Sequence, residues 1–359
     1  MHKTPNQASN GGLFKKKKTI KVSLQDQKSL IKKRRFHLIA LAPFLALSCY
    51  AGAAQTSSYP NKPVRLIVAY APGGVTDSLT RLLSTELAKT LGQTVVVENR
   101  GGAGGTVGAA FVSKAAPDGY TLLVTSPPQI AVAPFLLDQL PFQPDKDFTT
   151  IGTFATTPNI LVVNPSLPIN TFSELVTYAK GPGQGKFSFA SGGPGSTGQL
   201  YGQILNDATG MKMIDIPYGK SSSAAFPDVI AGRVDSNFGQ LPGTIGYIRS
   251  EHVRPIVILS QQRSPILPDV PTIAEEGYPE ASMEFWQGIE GPANMPPDVV
   301  ATLSKALRSA MASPALVKSM ESIGAQAYVT TPEEFAALRR RDIDGYGKLI
   351  QQMGLKSAK

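Results

Sequence analysis

Cysteine and histidine are almost missing from this chain. Its 359 residues hold one cysteine, Cys49, and three histidines, His2, His37 and His252. A disulfide framework, a Cys/His metal centre and a thiol or Ser-His-Asp nucleophile therefore have almost no material to be built from. No cofactor is expected. A basic surface is missing too, although the net charge of +9 first suggests nucleic acid. Residues 1–53 carry eleven of the 35 Lys/Arg and only one acid, Asp26, leaving 24 basic and 25 acidic residues in 54–359. That remainder is nearly neutral and has no basic stripe, so a nucleic-acid partner is excluded.

The first 53 residues have their own logic. A basic run ends at Arg35, an apolar stretch covers Phe36 to Ala51, and Ala51-Gly52-Ala53 closes it with small residues. This order describes a secretory signal peptide with a long basic n-region, cleaved near Ala53. The apolar run is short for a membrane span. Cys49 stands one residue out of register for a lipoprotein box. Cleavage near Ala53 removes the only cysteine and leaves His252, before Val253-Arg254-Pro255, as a loop residue.

From there on, short β-rich runs alternate with helical patterns, which implies an α/β fold. Leu66–Tyr70, Val95–Val97, Thr121–Thr125, Phe187–Ala190, Ile214–Pro217, Val234–Phe238 and Ile256–Leu259 read as strands. Leu79, Leu82, Leu83, Leu87 and Leu91 make a helical stripe that stops at Gly92. Val107–Ala116 reads as a small-residue helix, and Leu200, Ile204, Leu205 and Ala208 as another, ending before Gly210. Thr171 with Glu174, and Thr331 with Glu334, form capping boxes at two helix starts. A further helix covers Asp298–Met311. Pro265, Pro268, Pro271 and Pro279 mark a stretch with little regular structure.

One unit occurs in each half: strand, paired glycines, helix start. The first copy is YAPGGVTD, Tyr70–Asp77; the second is SGGPGST, Ser191–Thr197. Such turns aim several backbone N–H groups at one point, and the helix dipole adds positive potential there, which makes an anion site without arginine. Phosphate patterns fail. Gly219-Lys220-Ser221 lacks the first Walker glycine, since residue 214 is Ile. Gly102-Ala103-Gly104 lacks the third dinucleotide glycine, since residue 107 is Val, and Gly101–Gly105 reads as a close-packed turn. The hydrolase elbow fails at Ser196, where Pro194 replaces the first glycine. A carboxylate is the anion that remains. The bland alternative is that both turns are strand-to-helix corners and Asp77 is only a helix cap.

These stretches, together with VENRGGAGG, APDGYTLL, PYGKSSSA followed by AGRVD, and SPILPDVPTIAEEG, resemble in order and spacing the Bug-type periplasmic receptors of tripartite tricarboxylate transporters (TctC-like). The likeness covers roughly Tyr59 to the C-terminus. It implies a two-lobed periplasmic binding protein of type II, a Venus flytrap with a doubly wound sheet in each lobe. Lobe one would be 54–160 plus 284–359, lobe two 161–283, and hinge strands would lie near 151–163 and 260–285. It implies an extracytoplasmic solute receptor in the periplasm that binds a small organic carboxylate between the lobes, for a transporter membrane component or a sensor. The ligand-binding residues so implied are Tyr70, Pro72, Gly73, Gly74, Thr76, Asp77 and Ser126 from lobe one. Ser191, Gly192, Gly195, Ser196, Thr197, Tyr218 and Ser221 would face them from lobe two. No catalytic or metal-ligating residue is implied. The competing reading is a secreted hydrolase-like enzyme acting through Ser196 or Asp77. Pro127-Pro128, Gly219-Lys220, Gln199 and Pro227 depart from the family pattern around the cleft.

Overall fold

The computed structural model describes residues 59–352 and 354, apart from 138, 194, 195, 220, 221 and 284. The expected leader, with Cys49, lies outside the described residues, as do the candidate site residues Gly195 and Ser221.

The chain opens with β1 (Val64–Val68), whose β-branched residues suit a strand buried between two others. Helix α1 (Val75–Leu91) buries Leu79, Leu83, Leu87 and Leu91, one residue per turn, and stops where Gly92 takes φ 65°. Next come β2 (Val95–Asn99), α2 (Thr106–Ser113) and β3 (Thr121–Thr125). A π-helical turn, Pro128–Val132, leads into the short α3 (Ala133–Leu136). Then β4 (Phe148–Thr157), Pro158 and β5 (Asn159–Val163) run almost continuously. Helix α4 (Phe172–Lys180) begins with the Thr171/Glu174 capping box in full. It is followed by β6 (Ser188–Ser191), α5 (Thr197–Thr209), β7 (Ile214–Pro217), α6 (Phe226–Ile230), β8 (Ser236–Gln240), α7 (Leu241–Arg249) and β9 (Arg254–Ile258). After the proline-punctuated stretch come β10 (Phe285–Pro292), α8 (Pro297–Met311), α9 (Pro314–Ser322), β11 (Gln326–Ala327) and α10 (Pro332–Gln352). The Thr331/Glu334 box is formed at the start of α10.

Two sheets result. The first has order β11-β4-β10-β3-β1-β2, the second β7-β6-β8-β5-β9. Both repeat one plan. A central strand, β1 or β6, pairs in parallel with a neighbour on each side. An antiparallel strand delivered from the other half, β10 or β5, then separates that trio from the last long strand. Helices cover both faces of each sheet. In sheet one, α1, α8 and α9 form one apolar layer, while α2 and α10 cover the other face. In sheet two, α4 and α5 take one face and α6 and α7 the other. This is the two-lobed, doubly wound α/β arrangement that the resemblance implied.

The chain passes between the sheets through Pro158 and returns before β10. Helix α10 touches both halves: Phe335 and Leu338 pack with Trp286 of sheet one, whereas Tyr346 and Ile350 join the core built by Phe189, Tyr201 and Phe238. Some boundaries differ from the sequence reading. The small-residue helix stops at Ser113, and the strand expected at Val234–Phe238 runs from Ser236 to Gln240. Pro227 is accommodated because it occupies the first turn of α6, where its missing N–H costs no hydrogen bond.

Candidate functional site

Strand registers place both glycine turns at facing edges. Val68 of β1 pairs with Val124 of β3, Gly288 with Thr125, and Phe285 with Thr157. The C-terminal ends of β1, β3 and β4 therefore share one edge of sheet one. In sheet two, Ala190 of β6 pairs with Asn237, and Gln240 at the end of β8 pairs with Asn159. The C-terminal ends of β6 and β8 thus lie beside the point where the chain arrives from Thr157. In open α/β sheets this edge, next to a central strand with helices leaving on both sides, is where ligands bind. Each turn follows such a central strand.

At the first turn, Ala71 to Gly74 are exposed while Thr76 and Asp77 are buried. Gly74 is the N-cap of α1, and no side chain caps the helix. Among the described residues none accepts from the amides of Val75 and Thr76, so first-turn N–H groups stay open. Asp77 does not reach into the cleft. Its Oδ2 accepts from the Gly73 amide at 2.9 Å and from Arg81 Nε at 3.0 Å. Its Oδ1 accepts from Asn99 Nδ2 at 2.9 Å. Burial alone would raise this carboxyl, but Arg81, the Gly73 amide and Asn99 together hold it below the usual carboxylate range. Asp77 is a clamp that shapes the turn, and the Gly73 amide is spent on it.

The second turn is folded by its own hydroxyls. Buried Ser191 accepts the Gly193 amide on Oγ at 2.9 Å, and Gly193 takes φ 94°. Ser196 caps α5, accepting from the Gln199 amide at 3.3 Å. Gly192, Ser196 and Thr197 are half-buried. The Tyr218 amide donates to Ser191 O at 2.9 Å, which ties the end of β7 to this turn, and its hydroxyl donates to Asp228 Oδ2 at 2.5 Å. Burial first, then Asp228, pushes the Tyr218 hydroxyl up to about 12.

Behind the first turn, Tyr70 and Ser126 meet, Oη to Oγ, at 2.9 Å. Burial pushes the Tyr70 hydroxyl up to about 12, with the Ser126 hydrogen bond opposing. Ser126 is wholly buried, and its amide donates to Gln129 Oε1 at 2.8 Å. The Pro127-Pro128 pair thus starts a π-helical turn that folds Gln129 back under the edge. Gly105 is required there: a Cβ on it would stand 2.5 Å from Gln129 Cγ.

The two halves touch beside the first turn. A Cβ on Gly243, in the first turn of α7, would stand 3.4 Å from Cγ2 of Val75, in the first turn of α1. Two surface cavities lie away from this region. One, of about 480 Å³, is at the end of α5 around Asn206 and Lys212. The other, of about 470 Å³, is beside Arg339 and Asp145. Among the described residues there is no cluster of three or more His, Cys, Asp and Glu side chains able to hold a metal ion.

Further residues have structural partners. Asp235 accepts from the amide and hydroxyl of Ser188 at 2.7 and 2.8 Å, at the far end of the strands from the turns. Gln199 donates to Asp215 at 3.1 Å. Trp286 is fully buried and donates from Nε1 to Asp342 at 2.6 Å. His252 is exposed and lies 3.0 Å from Ser250 Oγ. Sequence reasoning did not single out Gln129, Gln287 or Gly243. A glutamine in a strand or turn carries no sign of burial, and Gly243 looks like a helix-weakening residue.

The family model for the tripartite tricarboxylate transporter family receptor matches residues 79–355. Protein BugT of Bordetella pertussis is 32% identical over 320 residues, which are 89% of this chain and 98% of that protein. The solved structure of the periplasmic binding protein BugD is 34% identical with a TM-score of 0.75, over 83% of this chain and all of that one. MatC of Rhodopseudomonas palustris, solved with bound malate, is 30% identical with a TM-score of 0.73, over 81% of this chain and all of that one. The chain belongs to the tripartite tricarboxylate transporter receptor family.

Proposed function

We propose that this member of the tripartite tricarboxylate transporter receptor family binds a small organic carboxylate between its two sheets in the periplasm and releases it unchanged. The observation that carries the reading is the uncapped start of α1. Its first-turn amides open at the sheet edge, beside an exposed glycine turn that a buried Asp77 holds in place. Neutral donors hold an anion there without a buried counter-charge, and closing the second turn over it strengthens the bonds by expelling water. Pro72, Gly74 and Thr76 would line one side, and Gly192, Ser196 and Thr197 the other. Tyr70, Ser191 and Tyr218 support the two turns from behind.

Chemistry on the ligand has no machinery at these positions. Ser196 caps a helix, Asp77 is saturated by donors, and His252 belongs to a surface turn. No helix among the described residues is long and apolar enough to cross a membrane. Secretion by the N-terminal leader and delivery of ligand to a membrane component or a sensor complete the reading.

The test is thermal. The purified protein, stripped of carried-over ligand, is heated with a panel of organic acids and their amides. Ligand at a hundredfold over its Kd adds about 2.7 kcal/mol and raises Tm by a few degrees. Shifts confined to the free acids support the reading. A well-folded protein that no acid stabilises overturns it.

A further inference from the structure

Buried polar atoms without partners gather at the same edge of sheet one. Gln287 of β10 is wholly buried, and neither its Nε2 nor its Oε1 has a partner among the described residues. Leaving both ends of a carboxamide unpaired is costly, so a ligand or an ordered water is the natural occupant. The register places Gln287 one step past the pair Gly288–Thr125, beside Ser126. Its neighbours on β10 face α10: Trp286 packs edge-on to Phe335, and a Cβ on Gly288 would run into the same ring. Gln287 therefore faces the other side, the side of the sheet on which Tyr70 and Val75 pack. Tyr70, Ser126 and Gln287 form a polar row across three adjacent strand ends, beneath the open amides of α1.

Hydrogen-bond direction is fixed at one end of this row. The Ser126 amide can only donate, so the 2.8 Å bond identifies the Gln129 atom facing it as the carbonyl oxygen. Ser126 Oγ also lies 3.3 Å from that oxygen, a longer alternative for its one proton. Between Tyr70 Oη and Ser126 Oγ, 2.9 Å apart, either hydroxyl can be the donor. When Ser126 donates to it, Tyr70 Oη, kept protonated by burial, has its own proton free for a ligand. Gln287, across Ser126 from Tyr70, needs one acceptor and one donor. A hydroxyl supplies both, donating its one proton to Gln287 Oε1 and accepting from Nε2, and its second lone pair can accept from Tyr70 Oη. An ammonium cannot accept from Gln287 Nε2, and a methylene does neither.

We propose that Tyr70 and Gln287 read a hydroxyl next to the ligand's carboxylate, so that the receptor selects 2-hydroxy acids over their unsubstituted parents. This rests on the carboxylate reading above. Parting the halves at the Val75–Gly243 contact admits the ligand to this edge.

Calorimetric titration of the purified protein with malate against succinate, and lactate against propionate, tests it. The wild type is expected to bind at least one hydroxylated member about tenfold tighter or more. Tyr70→Phe and Gln287→Leu are each expected to cut that ratio by about tenfold. Ser126→Ala, which removes the group that holds the Tyr70 hydroxyl without touching the ring, serves if either variant fails to fold, and should also lower the ratio. A wild-type ratio near one, a ratio that the variants leave unchanged, or equal loss of both acids in every variant overturns the selection while the carboxylate site stands. A folded wild type that binds none of the four acids and none of the wider panel overturns both.

Discussion

Gly243 of α7 lies directly against Val75 of α1: a Cβ on the glycine would stand 3.4 Å from the valine Cγ2. The contact joins the helix start after the first glycine turn to that of α7, which follows β8 in the other sheet. A methyl group there would be in ordinary van der Waals contact with the valine, so a much larger side chain at residue 243 would press on the other half. Gly243→Ala should keep closure. Gly243→Phe should prop the halves apart, weaken ligand binding at least tenfold and leave the ligand-free Tm within a few degrees, because residue 243 is exposed. Titration and small-angle scattering with and without ligand check this. Ligand-induced compaction in Gly243→Phe equal to the wild type's would refute it.

The two adjacent glycines of the first turn should respond differently to alanine. Gly73 has φ 78°, a left-handed conformation that costs an L-residue about 1–2 kcal/mol. Gly74 has φ −72°, and its nearest non-neighbour atom would lie 3.4 Å from an added Cβ. Gly73→Ala should lower stability by about 1 kcal/mol and disturb the turn that Asp77 grips. Gly74→Ala should cost less than about 0.5 kcal/mol. Urea unfolding of both variants decides it, and equal losses would show that the left-handed turn is not the constraint.

Asp77 gives a pH signature. Its folded carboxyl is held low by Arg81, Gly73 and Asn99 against the opposing effect of burial. A depressed carboxyl stabilises the fold above its unfolded value, near 3.9, and loses that contribution as pH falls through the lower folded value. Asp77→Ala should therefore cost about 1–3 kcal/mol at neutral pH, chiefly from the orphaned Gly73 and Asn99 donors. The half-exposed Arg81 adds little. Unfolding curves for both proteins should converge in strongly acid solution; a gap that does not narrow there argues against the clamp.

Much of this fold can be read from local pattern. Leu79, Leu83 and Leu87 recur at helical spacing because one face of α1 is buried, and Thr171 with Glu174 marks a helix start because first-turn amides need acceptors. The turns are legible for the same reason: paired glycines between a strand and a helix have few other uses. What Asp77 does is not legible, since Asn99 lies 22 residues away and is brought in only by the pairing of β2 with β1. Nor is β10, whose FWQGIEGP does not alternate apolar with polar. It is a strand because β3 and β4 flank it, and it buries Gln287 and Glu290 in a layer that the sequence marks as polar.

Glu290 turns that mismatch into a measurable effect. Its carboxylate is fully buried, 3.0 Å from Arg339 Nε, and Arg339 also donates to Pro144 O at 2.5 Å. Burial pushes the Glu290 carboxyl up to about 6, and Arg339 opposes this only in part. The sign follows. The folded chain holds this proton at a higher pH than the unfolded chain does. The contribution is therefore present in full below the unfolded value, near 4.3, and is lost as pH rises through about 6. Glu290→Gln keeps the shape and cannot titrate. Whatever the offset between the two proteins, the wild type should lose up to about 2 kcal/mol relative to Glu290→Gln as pH rises across this window. Chemical denaturation of both at pH 4, 5, 6 and 7 measures the difference. A flat difference would mean that Arg339 fully offsets the burial, and a difference of opposite slope would mean that the pair stabilises the ionised form.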